Sequence, residues 1–196
     1  LLWVLNLLAP GLIIGVAIVF QPELRQIFTR IGQGEWFGKS KRPQIRHLDS
    51  IMNALEVLSG RRIGALIVIT RSLGLKNILE TGTRVNAELT SSLLLTIFTN
   101  GTPLHDGASI IQGGRIVAAG CFLPLSDQLD FRRSFGTRHR AALGLAEESD
   151  AVVLVVSEEK GTLSLAYDSE LRYDLSPGEV QQHFRRLFKY TEEPGE

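Results

Sequence analysis

Gly113 and Gly114 separate two runs of strand-forming residues, 108–112 and 115–124. A Gly-Gly pair between such runs is a hairpin signal, because the residues of a tight two-residue turn need positive φ. The centre of the chain is therefore committed to an antiparallel pair, and a sheet built around it cannot be purely parallel. The turn also implies a register. Ala108 is expected opposite Ala119, and Asp106 opposite Cys121. The second strand thus returns to the end where Asp106 stands.

Residues 100–111 read NGTPLHDGASII, and the apolar helical run 93–98 leads into them. His105 and Asp106 set an imidazole beside a carboxylate. Gly107 has no Cβ and would let the backbone approach a ligand closely. Asp106 is then held at the mouth of a strand, within reach of a metal or a hydroxyl. Taken alone, the stretch also reads as a plain turn, since Asp-Gly is among the commonest turn dipeptides.

A second stretch, residues 136–142, reads GTRHRAA. Thr137 is expected as an N-cap and 138–147 as the helix that it starts. Arg138, His139 and Arg140 then fall in the first turn, where the helix dipole disfavours cations. An anion bound there would offset them, and free N–H groups at a helix start already favour anions. The alternative is a solvated turn with the arginines facing water. Strand 115–124 ends near Asp106, and the loop 125–135 runs from it to Arg138. Both stretches are therefore expected at one end of the sheet. A carboxylate for a metal and a basic cradle for phosphate together suggest a nucleotide.

Asp106-Gly107-Ala108 and Arg138-His139-Arg140 resemble the two signatures of the diadenylate cyclase (DisA_N) domain. The surrounding words Thr102-Pro103-Leu104-His105, Leu123-Pro124-Leu125-Ser126, Gly136-Thr137, Ala141-Ala142-Leu143-Gly144 and Val156-Ser157-Glu158-Glu159 fit as well. The arrangement resembles the membrane-bound CdaA type, over about Leu1 to Phe188. Either triplet alone is a weak signal; the pair in this order and context is specific.

The front of the chain agrees with that resemblance. Leu1 to Phe20 carries no charged residue and matches the roughly 20 residues that a membrane-crossing helix needs. It lacks the basic start and small-residue cleavage site of a signal peptide. Residues 21–46 hold Arg25, Arg30, Lys39, Lys41, Arg42 and Arg46 against Glu23 and Glu35. Such an excess beside an apolar span marks the cytoplasmic side. The expected organisation is a transmembrane helix with its cytoplasmic extension (1–31), a Gly- and Pro-bearing linker (32–46), a catalytic domain (47–190) and a tail (191–196). The resemblance implies that the helix is the last of several, placing the domain on the cytoplasmic side of the cell membrane. Membrane lipid would be met through Leu1–Phe20.

The remaining segments read as an α/β domain. Helices are expected at 47–59, 90–98 and 176–190, the last with Pro177 behind Ser176 at its start. The helix 90–98 is apolar nearly all round and should be buried. Residues 63–70 form an apolar run of central-strand length, 82–88 a short strand, and 151–156 and 162–166 a buried pair. A loop with a short helix is expected at 71–79. The fold class is a mixed central β-sheet flanked by helices on both faces, which is also what the resemblance implies. No G-x-G-x-x-G or Walker A word is present, so neither common nucleotide-binding fold is supported. Formal net charge is zero, which gives no sign of a nucleic-acid-binding surface. The single cysteine, Cys121, excludes an internal disulfide and reads as a core residue.

The resemblance implies condensation of two ATP molecules into cyclic di-AMP with release of pyrophosphate. Asp106 would bind a divalent metal (Mn, Mg or Co) and activate the ribose 3′-OH, with His105 and Glu159 completing the metal site. Thr137, Arg138, His139, Arg140 and Ser157 would hold phosphates. Gly107, Ala108, Phe122 and Leu123 would line the ATP site. Phe122 stands where the family commonly has Tyr, so stacking on the base is kept and a hydroxyl hydrogen bond is lost. Two chains would meet face to face as a homodimer. A YbbR-domain regulator and phosphoglucosamine mutase are implied partners. Two other readings use the same residues: a catalytically silent membrane-anchored nucleotide sensor, and a metal-dependent phosphohydrolase.

Overall fold

The computed structural model describes residues 44–45, 48–128 and 136–190. The expected membrane segment 1–31, nearly all of the linker, and the tail lie outside these residues. Among the described residues no helix is long and apolar enough to cross a membrane. All of them belong to one compact unit, Ser40–Glu196.

The sheet is assembled from β2 (Ala65–Ile69), β3 (Thr83–Glu88), β4 (Ala108–Gln112), β5 (Arg115–Cys121), β6 (Val152–Val156), β7 (Leu163–Tyr167) and β8 (Glu170–Leu175), in the order β3-β5-β4-β2-β6-β7-β8. Only β2 and β4 run parallel; every other neighbouring pair is antiparallel. The expected mixed sheet is present. Strands β2, β6 and β7, reading ALIVI, VVLVV and LSLAY, are buried along their whole length. Both of their faces are covered, which is why they read as continuous apolar or small-residue runs rather than as alternation.

One face packs against α1 (Leu48–Gly60), α3 (Ser91–Phe98) and α5 (Pro177–Leu187) through residues such as Leu55, Phe98 and Phe184. The other packs against α4 (Thr137–Glu148) through Ala142, Leu145 and Ala146, and meets Ile78 and Leu79 of α2 (Lys76–Leu79). Helix α3 is capped by Thr90, whose side chain accepts from the Leu93 N–H. Only Leu94, Ile97 and Phe98 of this short helix are buried, so its apolar surface is less enclosed than the sequence suggests. Helix α5 opens with a full capping box between Ser176 and Glu179, the arrangement that satisfies two of the orphan N–H groups at a helix start.

Three local expectations are corrected. The hairpin forms at Gly113-Gly114, but its register slips twice. Gln112 faces Arg115 and Ile111 faces Ile116, whereas Ile110 faces Ala118 and Ala108 faces Cys121. Two extra residues are thus accommodated on β5, the strand that carries Gly120 at φ +67°, and β5 ends at Cys121. The closing helix stops at Leu187, and β9 (Lys189–Tyr190) pairs in parallel with β1 (Gln44–Ile45). Strand β8 was not foreseen. Its turn is Asp168-Ser169, with φ of +50° and +62°, a tight-turn geometry that usually advertises itself with glycine.

Candidate active site

The strand registers bring the chemistry-bearing segments together. Ile67 of β2 lies beside Ser109 of β4, so the starts of these parallel strands coincide. Ala65 faces Val156, which puts the end of β6 and the turn 157–161 at the same end. Ala108 faces Cys121, which adds Phe122. Gly64, Asp106, Phe122 and Ser157–Glu159 therefore stand along one end of the sheet. The N-terminus of α4 joins them through an ion pair, Arg138 Nη1 to Glu158 Oε2 at 2.6 Å. The slipped register displaces Asp106 from Cys121 and leaves the expected convergence intact.

Each segment is fixed by backbone packing. Gly107 has φ +126°, and a Cβ there would stand 2.6 Å from the carbonyl carbon of Gly120 and 2.9 Å from its Cα. The close approach is to β5. Asp106 next to it is exposed, and His105 and Gly107 are half-buried. The His105 Nδ1 contacts the Thr102 carbonyl oxygen. A carbonyl only accepts, so the Nδ1–H is the donor in this contact. Phe122 is 66 % exposed, and its N–H donates to Thr81 Oγ1 at 3.0 Å. Leu123 beside it is half-buried. A flat apolar ring held at its backbone and open on its side is a surface on which a base can stack.

Helix α4 begins one residue earlier than expected. Gly136 is the N-cap, no side chain caps the helix, and Thr137 is its first residue. The Thr137 hydroxyl is therefore not the cap. The three following residues differ in placement. Arg140 is exposed and its Nη2 donates to the Ser126 carbonyl at 3.3 Å. Arg138 is half-buried over Gly64. His139 turns inward: it is buried, its Nε2 lies 3.2 Å from Ser164 Oγ, and its ring tilts against Tyr173. Burial pushes its pKa below the ordinary histidine value, and the Glu159 carboxylate pulls the other way. The loop before the helix is seated on Gly144, where a Cβ would stand 2.3 Å from the Pro124 carbonyl oxygen. Buried Ser126 donates to Glu147 at 2.7 Å and anchors the same loop.

Ser157 begins the turn between β6 and β7. Its N–H donates to the Thr162 carbonyl and its Oγ accepts from the Lys160 N–H. Glu158 and Glu159 are both exposed. The far side of the turn is tied to α1, because Ser59 Oγ donates to the Gly161 carbonyl at 2.6 Å. The partnership of Glu158 with Arg138 spans twenty residues and has no local signature in the sequence. Cys121 is fully buried, and burial raises its thiol to about 11, so it is not a nucleophile at neutral pH.

Among the described residues no three His, Cys, Asp or Glu side chains converge on one metal-sized point. His105, Asp106 and Glu159 do not make a closed metal cage within one chain. They are two exposed carboxylates and a half-buried imidazole, oxygen and nitrogen donors of the kinds that divalent ions accept, and they do not close a site without further ligands.

The fold is an α/β domain with a mixed seven-stranded sheet, and carboxylates and an arginine-bearing helix start stand at one end of it. Residues 52–171 match the family described as DisA bacterial checkpoint controller nucleotide-binding, the DAC family, and the chain belongs to it. Its relatives are named as diadenylate cyclases or cyclic di-AMP synthases. The cyclic di-AMP synthase CdaA of Bacillus subtilis is 39% identical over 180 residues, covering 90% of this chain and 66% of the relative. A diadenylate cyclase of Listeria monocytogenes is 41% identical over 184 residues, covering 92% of this chain and 67% of the relative. The chain thus spans about two thirds of the length of these relatives. A crystal structure of a DacA double mutant from Staphylococcus aureus superposes with a TM-score of 0.70 at 43% identity, over 71% of this chain and 93% of that one. A hypothetical membrane spanning protein from Bacillus cereus superposes with a TM-score of 0.66 at 37% identity, over 82% of this chain and 80% of that one.

Proposed function

We propose that this chain is a diadenylate cyclase, condensing two ATP into cyclic di-3′,5′-AMP with release of two pyrophosphates. The observation that carries the reading is the meeting of Asp106-Gly107-Ala108 and Arg138-His139-Arg140 at one sheet end, in a chain of the DAC family. In each half-reaction the ribose 3′-oxygen of one ATP attacks the α-phosphorus of the other. The bond to the bridging oxygen breaks and pyrophosphate leaves. The exposed Asp106 carboxylate accepts the 3′-OH proton. Arg138, Arg140 and the first N–H groups of α4, with Thr137, bind phosphate oxygens and stabilise the charge that develops on them. Ser157 contacts phosphate from the facing turn. Phe122 stacks on adenine, flanked by Leu123, and Gly107 and Ala108 form the floor of the nucleotide site. Buried His139 acts from beneath, holding the first turn of α4 through Ser164 and Tyr173.

His105 Nε2, Asp106 and Glu159 would hold a divalent cation, Mn, Mg or Co, together with ATP phosphates. When bound, such an ion neutralises phosphate charge and lowers the pKa of the attacking hydroxyl. The active species is a homodimer, because one chain offers one Asp106 and one basic helix start while the product holds two equivalent nucleotides. The chain is anchored in the cell membrane through its uncharged residues 1–20, with the domain on the cytoplasmic side. Support comes from the basic residues that follow and from the likeness to a membrane spanning protein.

The test is to incubate the chain with ATP and each divalent metal and resolve the products by chromatography. Cyclic di-AMP and pyrophosphate are expected. Orthophosphate or a monophosphate would replace this reading with a phosphohydrolase, and unchanged ATP with measurable binding would replace it with a silent sensor.

A further inference from the structure

The Arg138–Glu158 pair has a feature that an ordinary surface ion pair lacks. It lies on bare backbone. A Cβ at Gly64 would stand 2.7 Å from Arg138 Nη1, 2.8 Å from its Cζ and 2.9 Å from Glu158 Oε2. Any side chain at position 64 would displace both partners together. Gly64 immediately precedes β2, the central strand whose five residues are all buried, so the seat itself is rigid. Arg138 is 23 % exposed and Glu158 62 %. The arginine is therefore pressed against the protein, and the carboxylate reaches over it from the β6–β7 turn. That turn is in turn pinned to α1 by the Ser59–Gly161 hydrogen bond.

A guanidinium offers five N–H donors in a planar fork. Glu158 engages one terminal nitrogen, Nη1. A phosphate can use the other donors without displacing the carboxylate. A long flexible side chain that must present a planar fork to a phosphate loses rotamer freedom on binding. One already held in place loses less.

We propose that Glu158 is a positioning residue: it holds the Arg138 guanidinium by one nitrogen on the bare backbone of Gly64, and so presents its remaining donors to the triphosphate of the nucleotide. The proposal rests on the reading of Arg138 as a phosphate-binding residue. It gives the two adjacent carboxylates of the turn different tasks, Glu158 orienting an arginine and Glu159 facing the cation. It also explains a glycine at position 64, where no positive φ demands one.

The experiment uses the full 196-residue chain and the variants Glu158→Gln, Glu158→Ala and Gly64→Ala. Affinities are measured by calorimetry for adenosine and for an ATP analogue that cannot lose pyrophosphate, alongside thermal unfolding and product formation. Glu158→Ala should weaken the analogue by about tenfold, the scale of one charge-assisted contact, and leave adenosine binding unchanged. Glu158→Gln keeps an oxygen at the same reach and should fall between Glu158→Ala and the parent. Gly64→Ala should reproduce Glu158→Ala, because it displaces the same pair. Exposed ion pairs contribute little to folding, so the unfolding midpoints should coincide. Equal weakening of analogue and adenosine, no weakening at all, or tighter analogue binding in Glu158→Ala would each overturn the proposal. If the parent chain binds the analogue but forms no cyclic dinucleotide, the cyclase reading fails. The ratio of the two affinities still decides the role of Glu158.

Discussion

Gly107 and Gly120 pack backbone against backbone. Both have positive φ, +126° and +67°, but their surroundings differ. A Cβ on Gly107 would stand 2.6 Å from the Gly120 carbonyl carbon, whereas one on Gly120 would have as its nearest atom beyond the adjacent residues the Asp106 carbonyl oxygen, at 3.8 Å. The missing Cβ of Gly107 admits the backbone of β5, and by doing so sets Asp106 at the sheet end. Gly120→Ala should cost about 1–2 kcal/mol, the penalty of a left-handed backbone with a side chain. Gly107→Ala adds an overlap with rigid backbone and should cost more, about 3 kcal/mol or above. Urea unfolding of the two variants checks the order. Equal midpoints would mean that the β4–β5 contact is not as close as described.

Asp106→Asn changes one exposed charge and almost no volume, so the fold should persist. Turnover should fall by about 10²-fold or more, the usual contribution of a positioned general base. Thermal unfolding and cyclic di-AMP formation are measured on the same preparation. Parental turnover in a folded variant would remove Asp106 from the chemistry.

Arg140 is exposed and, among the described residues, its side chain makes one hydrogen bond, to the Ser126 carbonyl at 3.3 Å. Arg140→Ala should therefore leave stability nearly untouched and weaken ATP far more than adenosine. A charge-assisted contact to phosphate contributes about 1.5–3 kcal/mol. Equal losses for the two ligands would return Arg140 to the role of a solvated surface residue.

What could be read in the chain depended on how local its cause was. The buried strands declare themselves because ALIVI and VVLVV are apolar at every position, and a residue buried on either face must be so. The hairpin declares itself through Gly113-Gly114. Its register does not, because the two slips are taken up in the middle of β5, away from the turn that sets the count. Strand β8 has no buried residue, only exposed and half-buried ones in no regular alternation at the sheet edge, and its turn has no glycine. At the site, the two triplets were visible as words. The opposite directions of their members were not. His139 faces the core and Arg140 faces out because successive helical residues are about 100° apart, and which face is inner depends on β7 and β8. The pairing of Arg138 with Glu158 depends on the same tertiary placement.

His183 makes a pH test of the α5 face. The Tyr167 hydroxyl and His183 Nδ1 are 3.0 Å apart. Desolvation, then the nearby Arg172 and Arg186 charges, lower the pKa below the ordinary 6.5, against a smaller opposing pull from Glu179. A lowered histidine pKa means that the unfolded chain binds the proton more readily. Its contribution to stability is present above the unfolded value and is lost as pH falls through 6.5 towards the folded value. Buried His139 acts with the same sign. The urea midpoint should therefore decline on going from pH 7.5 to 5.5, and less steeply in His183→Gln. By NMR the His183 ring should titrate below 6.5; titration above that value would contradict the assigned surroundings.

Assembly supplies the last prediction. Each chain carries one Asp106 and one arginine-bearing helix start, at a single sheet end. The product joins two nucleotides by two equivalent bonds. The simplest geometry relates two bound ATP molecules by a two-fold axis, with one chain behind each. The attacking hydroxyl and the α-phosphate it attacks then come from nucleotides held by different chains. For a chain shortened to the compact unit Ser40–Glu196, specific activity should fall on dilution as active pairs dissociate. With residues 1–39 retained in a membrane, confinement raises the effective concentration and should blunt that fall. Cyclic di-AMP formed per chain is measured across a wide range of protein concentrations, at saturating ATP and metal. A flat profile from a species with monomeric mass under assay conditions would exclude the two-chain site and require both nucleotides to bind within one domain.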